Sequence, residues 1–210
     1  MCGRYYIAQE DNDEEIARIL AEMNRDLPKA SEVHRGEIFP SQIAPVIVNT
    51  ATGWSVKPMQ WGFPQKTRPG IVINCRSEKA DVTPMFSRAV RQGRCLIPMS
   101  GFFEWQHTAG GGKGQKHAFS LADGHAMFLA GIFESENGGF ENGGRDVFAV
   151  LTMDADGQMR PYHHRMPVIL GTRQARHGWL FSSPEAEYRM LKRLFLPPPL
   201  AVCPVKKQLL

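Results

Sequence analysis

Apolar and polar positions follow a helical period in one part of the chain. Residues 11–28 read "DNDEEIARILAEMNRDLP", and their apolar positions recur every three or four residues, which predicts an amphipathic helix that stops before Pro28. Thr83 as a cap and the proline after it predict a second helix in "TPMFSRAVRQG". Ser183 predicts a third in the same way, in "SPEAEYRMLKRLF". The apolar positions of the first helix are Ile16, Ile19, Leu20 and Met23.

Short apolar runs separated by turn signals predict strands through the middle of the chain. They do not alternate regularly with helices, so the predicted fold class is α+β, with a mainly antiparallel, barrel-like β core flanked by a few helices. No composition shift marks a boundary, and we expect residues 1–210 to form a single domain. The runs are "APVIVN", "GIVIN", "RCLIPMSGFFEW", "HAFSL", "AMFLAGIF", "DVFAVLTM" and "MPVIL".

Composition excludes several classes of protein. Hydrophobic residues make up 42% and charged residues 22% of the chain, which is ordinary for a globular protein. No apolar run is long enough to cross a membrane, and the polar "QEDNDEE" argues against a signal peptide. The four cysteines form no CxxC pair, so we expect a cytoplasmic protein without disulfides or a metal site. The net charge of +4 permits nucleic-acid binding without requiring it.

Cys2 stands directly behind the initiator methionine. Removal of Met1 would leave the free α-amine and the thiol of Cys2 on adjacent carbons, a pairing that no internal residue offers. The alternative is a buried, unreactive cysteine on an N-terminal strand.

Three further stretches place polar side chains beside predicted strands. "INCRSEKA" puts Asn74 and Arg76 two apart at a strand end, which predicts that they share a face. "SGFFEWQ" places Glu104 between two aromatic residues, and "PYHHRMPVIL" places His163 and Arg165 before an apolar strand. With Cys2 these residues supply a nucleophile, a carboxylate, an imidazole, an amide and two guanidinium groups.

The stretches "MCGR", "NCRSE", "GFFEW" and "HHRMP", in this order and at these distances, closely resemble the SRAP family, the SOS-response-associated peptidases. The resemblance implies a protein that caps abasic sites in single-stranded DNA through a covalent link to Cys2, in the DNA damage response. It also implies lyase activity and removal of Met1 by an autoprocessing peptidase activity. We expect a monomer without cofactor or metal, not bound to membranes and associated with the nucleoid when on DNA.

The chemistry of the residues fits this function. An abasic deoxyribose opens to an aldehyde, and an α-amine, with a reference pKa of about 7.7–8.0, is partly neutral at physiological pH and attacks it to give an imine. The thiol of Cys2 then closes a five-membered thiazolidine that traps the adduct.

The resemblance assigns roles to ten positions. The carboxylate and the imidazole would move protons, the amide would orient the sugar or the N-terminus, the arginines would hold phosphates, and the tryptophans would stack on bases. Two positions depart from the family pattern, with Cys75 in place of alanine and Phe103 in place of tyrosine. The catalytic candidates are Cys2, Asn74, Glu104 and His163, and the DNA-binding candidates are Arg4, Arg76, Arg165, Trp61, Trp105 and Thr152.

Two other functions remain open from the sequence. "MCG" also opens N-terminal-nucleophile hydrolases, in which Cys2 would attack a glutamine amide or a peptide bond. A non-covalent binder of single-stranded DNA would use the basic and aromatic residues and not Cys2.

Overall fold

The computed structural model describes residues 3–8, 14–26, 36–65, 67–107, 112–136, 145–184, 186 and 188–205. Fourteen strands are present in these ranges and dominate the described structure, as predicted. The strands are β1 (Tyr5–Ile7), β2 (Gly36–Ile38), β3 (Ile43–Thr50), β4 (Gly53–Trp61), β5 (Phe63–Pro64), β6 (Ile71–Val72), β7 (Asn74–Arg76), β8 (Arg94–Met99), β9 (Gly101–His107), β10 (Lys113–Leu121), β11 (Met127–Glu136), β12 (Arg145–Asp154), β13 (Arg165–Pro167) and β14 (Leu200–Pro204).

The helices differ from the prediction in three ways. The first lies where the apolar period placed it, but Thr83 does not cap the second, because its hydroxyl donates back to the carbonyl of Lys79 at 2.7 Å and only the final turn is regular helix. The helix at Arg173–Phe181 was not predicted, although Thr172 caps it by accepting from the N–H of Ala175 at 3.1 Å. The helix predicted after Ser183 is shorter than expected, since its α-helical part spans only Tyr188–Leu191. The helices are α1 (Glu14–Asp26), α2 (Ala89–Gln92), α3 (Arg173–Phe181) and α4 (Tyr188–Leu191), followed by a 3₁₀ turn at Lys192–Leu194.

A ring of five strands forms the larger β structure. The strands pair in the order β11-β8-β3-β4-β12, and β11 also pairs with β12, which closes the ring. Strands β7 and β13 pair with the C-terminal half of β12. All pairings in this sheet are antiparallel except those of β12 with β4 and β7, so the barrel-like, mainly antiparallel prediction is confirmed.

A second, wholly antiparallel sheet has the order β14-β10-β9-β1-β2. The chain passes from the ring into this sheet at Ser100, whose N–H donates to the carbonyl of Tyr6 at 2.9 Å and whose hydroxyl accepts from the N–H of Ala8 at 2.9 Å. Glycine is required at position 101, because a Cβ there would overlap the carbonyl oxygen of Phe119. The apolar run of residues 94–105 is therefore two strands in two sheets.

Aromatic side chains fill the interior of both sheets. Phe102 stacks on Phe119 with ring centroids 5.0 Å apart, and Trp61 stacks on Phe148 at 6.2 Å. All four rings are buried, and burial of such side chains stabilises the fold by about 1.5–3 kcal/mol each. Among the described helices, none combines the length and the apolar composition that a membrane crossing needs.

Candidate functional site

Glu104 lies on the inner face of β9. It is two residues from Phe102 and shares its face, because successive side chains of a strand point to opposite sides. Its side chain is 5% exposed, and Oε2 accepts from the N–H of Trp105 at 3.3 Å. A carboxylate buried in this way lowers stability unless it is hydrogen-bonded or paired with a positive charge. The structure thus places the predicted carboxylate beneath the surface.

His163 follows a turn whose backbone holds it in place, since its N–H donates to the carbonyl of Met159 at 3.0 Å. Nδ1 lies 2.9 Å from the N–H of Arg165 and 3.2 Å from the carbonyl oxygen of the same residue. The ring therefore has a partner in either neutral tautomer, and Nε2 can act as donor or acceptor. Burial lowers the pKa of His163, although the nearby carboxylate of Glu104 opposes the shift. The two predicted acid–base residues are thus brought together.

Two aromatic contacts hold the segments of the site against each other. Tyr162, next to His163, packs against Phe119 at 5.1 Å and against His117 at 4.8 Å between ring centroids. His117 is the direct partner of Glu104 across β9 and β10. The segment that carries the imidazole is therefore fixed to the sheet that carries the carboxylate.

Asn74 and Arg76 lie on β7, alongside Val150 and Thr152 of β12. Arg76 is exposed and Asn74 half-buried, whereas Cys75 between them is buried, consistent with the predicted alternation. Burial raises the pKa of the Cys75 thiol to about 12, so it stays protonated and is not a competing nucleophile.

Trp61 does not stack on bases, because it is fully buried at 0% exposure. Its ring centroid lies 5.1 Å from that of Tyr5, and its indole N–H donates to the carbonyl of Ile73 at 3.0 Å. The prediction was wrong for this residue. Trp61 instead connects the strand that follows Cys2 to the strand that begins at Asn74.

The structure also contradicts the predicted DNA contacts of Arg165 and Thr152, because both side chains are buried. The Arg165 guanidinium binds Glu78 through two hydrogen bonds of 2.8 and 2.9 Å, Asp154 at 2.5 Å and the carbonyl of Thr152 at 2.7 Å. Arg165 is 6% exposed and Thr152 0%. An arginine buried in this way supports β12 and β13 and offers no open edge to a phosphate.

Arg4 and Trp105 lie on the other face of the second sheet from Glu104. The Arg4 guanidinium lies 5.1 Å from the Trp105 ring centroid and 4.6 Å from that of Phe39, distances typical of cation–π contacts, and it pairs with Glu37 at 3.2 Å. Both Arg4 and Trp105 are partly exposed, which keeps them as candidate DNA contacts.

Lys116 was missed by the sequence analysis. Its ammonium group binds Glu37 at 2.8 Å and lies 3.8 Å from the Phe103 ring centroid. Lys116 lies beside the side chains around Arg4 because it pairs with Trp105 across β9 and β10. The connection between those strands sets this pairing, and no local sequence pattern indicates it.

Cys2 lies outside the described residues. The strand that follows Cys2 lies next to the strand that carries Glu104. The carbonyl of Arg4 accepts from the N–H of Phe103, the residue before Glu104, at 2.9 Å.

The model of the family described as SOS response associated peptidase (SRAP) matches residues 1–209. The chain belongs to the SRAP family. The predicted resemblance is thereby confirmed over nearly the whole chain.

Relatives and solved structures agree with this assignment. The chain is 27% identical over 187 residues to the abasic site processing protein YoqW of Bacillus subtilis, covering 86% of this chain and 80% of the relative. It is 28% identical over 126 residues to the abasic site processing protein HMCES of Gallus gallus, covering 51% of this chain and 37% of the relative. A crystal structure of a protein from Bordetella bronchiseptica is 26% identical, covers 98% of this chain and all of that chain, and gives a TM-score of 0.74.

Proposed function

We propose that this protein processes abasic sites in single-stranded DNA by forming a covalent link through Cys2. The family assignment and the relatives named as abasic site processing proteins support this function. The observation that carries it is the pair formed by buried Glu104 and by His163, whose pKa is lowered by burial, beside the strand that follows Cys2.

The covalent chain limits how far Cys2 can lie from this pair. Two residues span at most about 7 Å between Cα atoms, so the Cα of Cys2 lies within that distance of the Cα of Arg4 in any conformation. Arg4 in turn is hydrogen-bonded through its carbonyl to the residue before Glu104. This tether supports a reaction in which the N-terminal residue, the carboxylate and the imidazole act on one sugar.

The reaction begins with removal of Met1, which frees the α-amine of Cys2. The neutral amine attacks the C1 aldehyde of the opened sugar, and the resulting carbinolamine loses water to give an imine. The thiol sulfur then adds to the imine carbon and its proton passes to the nitrogen, which closes the thiazolidine. The sum of these steps is the loss of one water molecule.

Glu104 and His163 divide the proton transfers. His163 takes the proton of the C1 hydroxyl when the sugar opens and returns it to the ring oxygen that leaves C1. An imidazole with a lowered pKa is neutral at neutral pH, and Nε2 is the unprotonated nitrogen when Nδ1 donates to the carbonyl of Arg165. Glu104 takes the proton that the amine nitrogen loses and delivers it to the hydroxyl that leaves the carbinolamine. Asn74 orients the sugar from the neighbouring edge of β7.

The DNA strand is held by the remaining cationic and aromatic candidates, which are exposed or partly exposed. Arg76 contacts a phosphate, and Arg4 contacts another at the opposite side of the lesion. Trp105 stacks on a neighbouring base, an interaction worth roughly 1–3 kcal/mol.

Two variants of Cys2 test the proposal on DNA with one abasic site. Cys2→Ala should abolish the adduct that survives a denaturing gel while preserving reversible DNA binding. Cys2→Ser should give an adduct that requires borohydride, because an oxygen nucleophile does not trap the imine stably. A stable adduct from Cys2→Ala would contradict the mechanism, and cleaved DNA on the same gel would report lyase activity.

A further inference from the structure

A groove of about 600 Å³ lies between α1 and α3, away from the candidate functional site and sharing no residue with it. Its floor is made by Ile47, Leu96 and Phe128 on the outer face of the ring of strands. Ile47 pairs with Leu96 across β3 and β8, and Phe128 pairs with Pro98, two residues along β8. All three therefore share one face of the sheet. The volume falls within the range of about 300–1,000 Å³ that is usual for ligand sites.

Cations dominate the walls of this groove. Arg18 from α1 and Arg173 from α3 are exposed, and neither forms an ion pair with a carboxylate of the described residues. Arg176 is paired with Glu15 at 3.2 Å, a contact that joins the two helices. Among the described residues, the groove therefore presents two guanidinium groups without a carboxylate partner above an apolar floor, and its ligand should carry negative charge together with apolar groups.

Two of the aromatic rings that line the groove contact arginine side chains. The Arg18 guanidinium lies 5.7 Å from the Trp54 ring centroid, and that of Arg176 lies 4.4 Å from the centroid of Phe128. Single-stranded nucleic acid binds through free aromatic faces and a continuous run of phosphate contacts. With the carboxylate of Glu15 in its wall and Arg176 paired to it, this groove offers no continuous run of phosphate contacts. It therefore suits discrete carboxylates and aliphatic or aromatic side chains better than a nucleic-acid strand.

We propose that this groove binds a short acidic segment of a partner protein. Its carboxylates pair with Arg18 and Arg173, and an apolar side chain between them lies over Ile47 and Leu96. Because the groove is separate from the DNA-reactive residues, a partner held there would remain bound while the protein is linked to DNA.

The test measures binding of a fluorescein-labelled peptide, DDLDFDD, by fluorescence anisotropy at low salt. The double variant Arg18→Glu/Arg173→Glu should bind it at least about tenfold more weakly than the unchanged protein. The matched control Arg88→Glu/Arg91→Glu makes the same change in net charge on α2 and the turn before it, and it should keep the affinity. Crosslinking to abasic DNA should be equal in all three proteins, which also shows that they are folded.

Four results would overturn the proposal. One is equal peptide affinity in the groove variant and the unchanged protein. Another is equal binding of the uncharged peptide NNLNFNN, which would remove the role of the arginines. A third is oligothymidylate binding that the groove variant alone loses, which would assign the groove to nucleic acid. The fourth is no saturable binding of DDLDFDD.

Discussion

Arg165 and His163 lie two residues apart, but the ionisable groups around them are held in opposite ways. Around Arg165, hydrogen bonds to Glu78 and Asp154 favour the charged forms: although burial opposes both shifts, the pKa of Glu78 is lowered and that of Arg165 is raised. Around His163, burial favours the neutral form and lowers the pKa, against the charge of Glu104.

This difference separates groups that support the fold from a group suited to proton transfer. A cluster of fixed charges keeps its hydrogen bonds across the physiological pH range and holds β12, β13 and the following segment in place. An imidazole whose pKa lies below its ordinary value is neutral at physiological pH, which suits a group that accepts a proton. In the proposed mechanism, the same short stretch of sequence therefore carries one residue that positions and one that reacts.

The largest expected effect on stability comes from breaking the cluster of Arg165, Glu78 and Asp154. Arg165→Met should lower the free energy of unfolding by about 1–2 kcal/mol, because Glu78, Asp154 and a buried carbonyl each lose a hydrogen bond to a charged donor. The loss stays moderate because the two carboxylates are 44% and 82% exposed and the carbonyl keeps the N–H of Ser77. Arg88→Met is the matched control, since Arg88 is 77% exposed and lies 4.0 Å from Glu134, and it should cost at most about 0.5 kcal/mol. Urea unfolding of both variants measures the two losses in unfolding free energy. Equal losses would show that the cluster stabilises the fold no more than an exposed arginine does.

Glu104→Gln should slow adduct formation by about 100-fold, because an amide cannot deliver the proton that the carbinolamine needs. Affinity for undamaged single-stranded DNA should stay within about twofold of the unchanged protein. Single-turnover crosslinking and a binding titration give the two numbers. A rate equal to that of the control Glu134→Gln would show that Glu104 has only a structural role.

His163→Ala should change the pH profile as well as the rate. In the unchanged protein the rate should rise as pH increases through the lowered pKa of His163, below 6.5, and again through that of the α-amine at about 7.7–8.0. The variant should keep only the upper rise, since it has no imidazole to become neutral. Two rises in the variant would assign the lower one to another group.

Arg76→Ala should have the smallest effect. Loss of one phosphate contact weakens DNA binding modestly and lowers the slope of log affinity against log salt by about 0.7 for a single strand. The exposed Arg91 provides the control Arg91→Ala, which should leave the slope unchanged. A slope that Arg76→Ala also leaves unchanged would remove this residue from the DNA contacts.

Local patterns predicted the elements that local forces determine. The apolar period before Pro28 gave α1, because an amphipathic stripe is visible in sequence. The split of residues 94–105 at Ser100 could not be predicted, since it depends on hydrogen bonds to β1, far away in the chain. α3 was missed, although Thr172 offers a capping signal.

The candidate site was predicted in part for a similar reason. Motifs indicated Glu104 and His163, which the structure brings together. They also indicated Trp61, Thr152 and Arg165, but a motif does not show whether a side chain faces solvent. These three are buried beneath the site, where they hold the strands that carry it.

The most direct test of the central claim is the intact mass of the adduct formed with single-stranded DNA carrying one abasic site. Cys2 chemistry predicts a mass equal to that of the protein without Met1 plus that of the DNA, less one water, stable without borohydride. An adduct that retains Met1, or the absence of any adduct from protein shown to begin at Cys2, would contradict it.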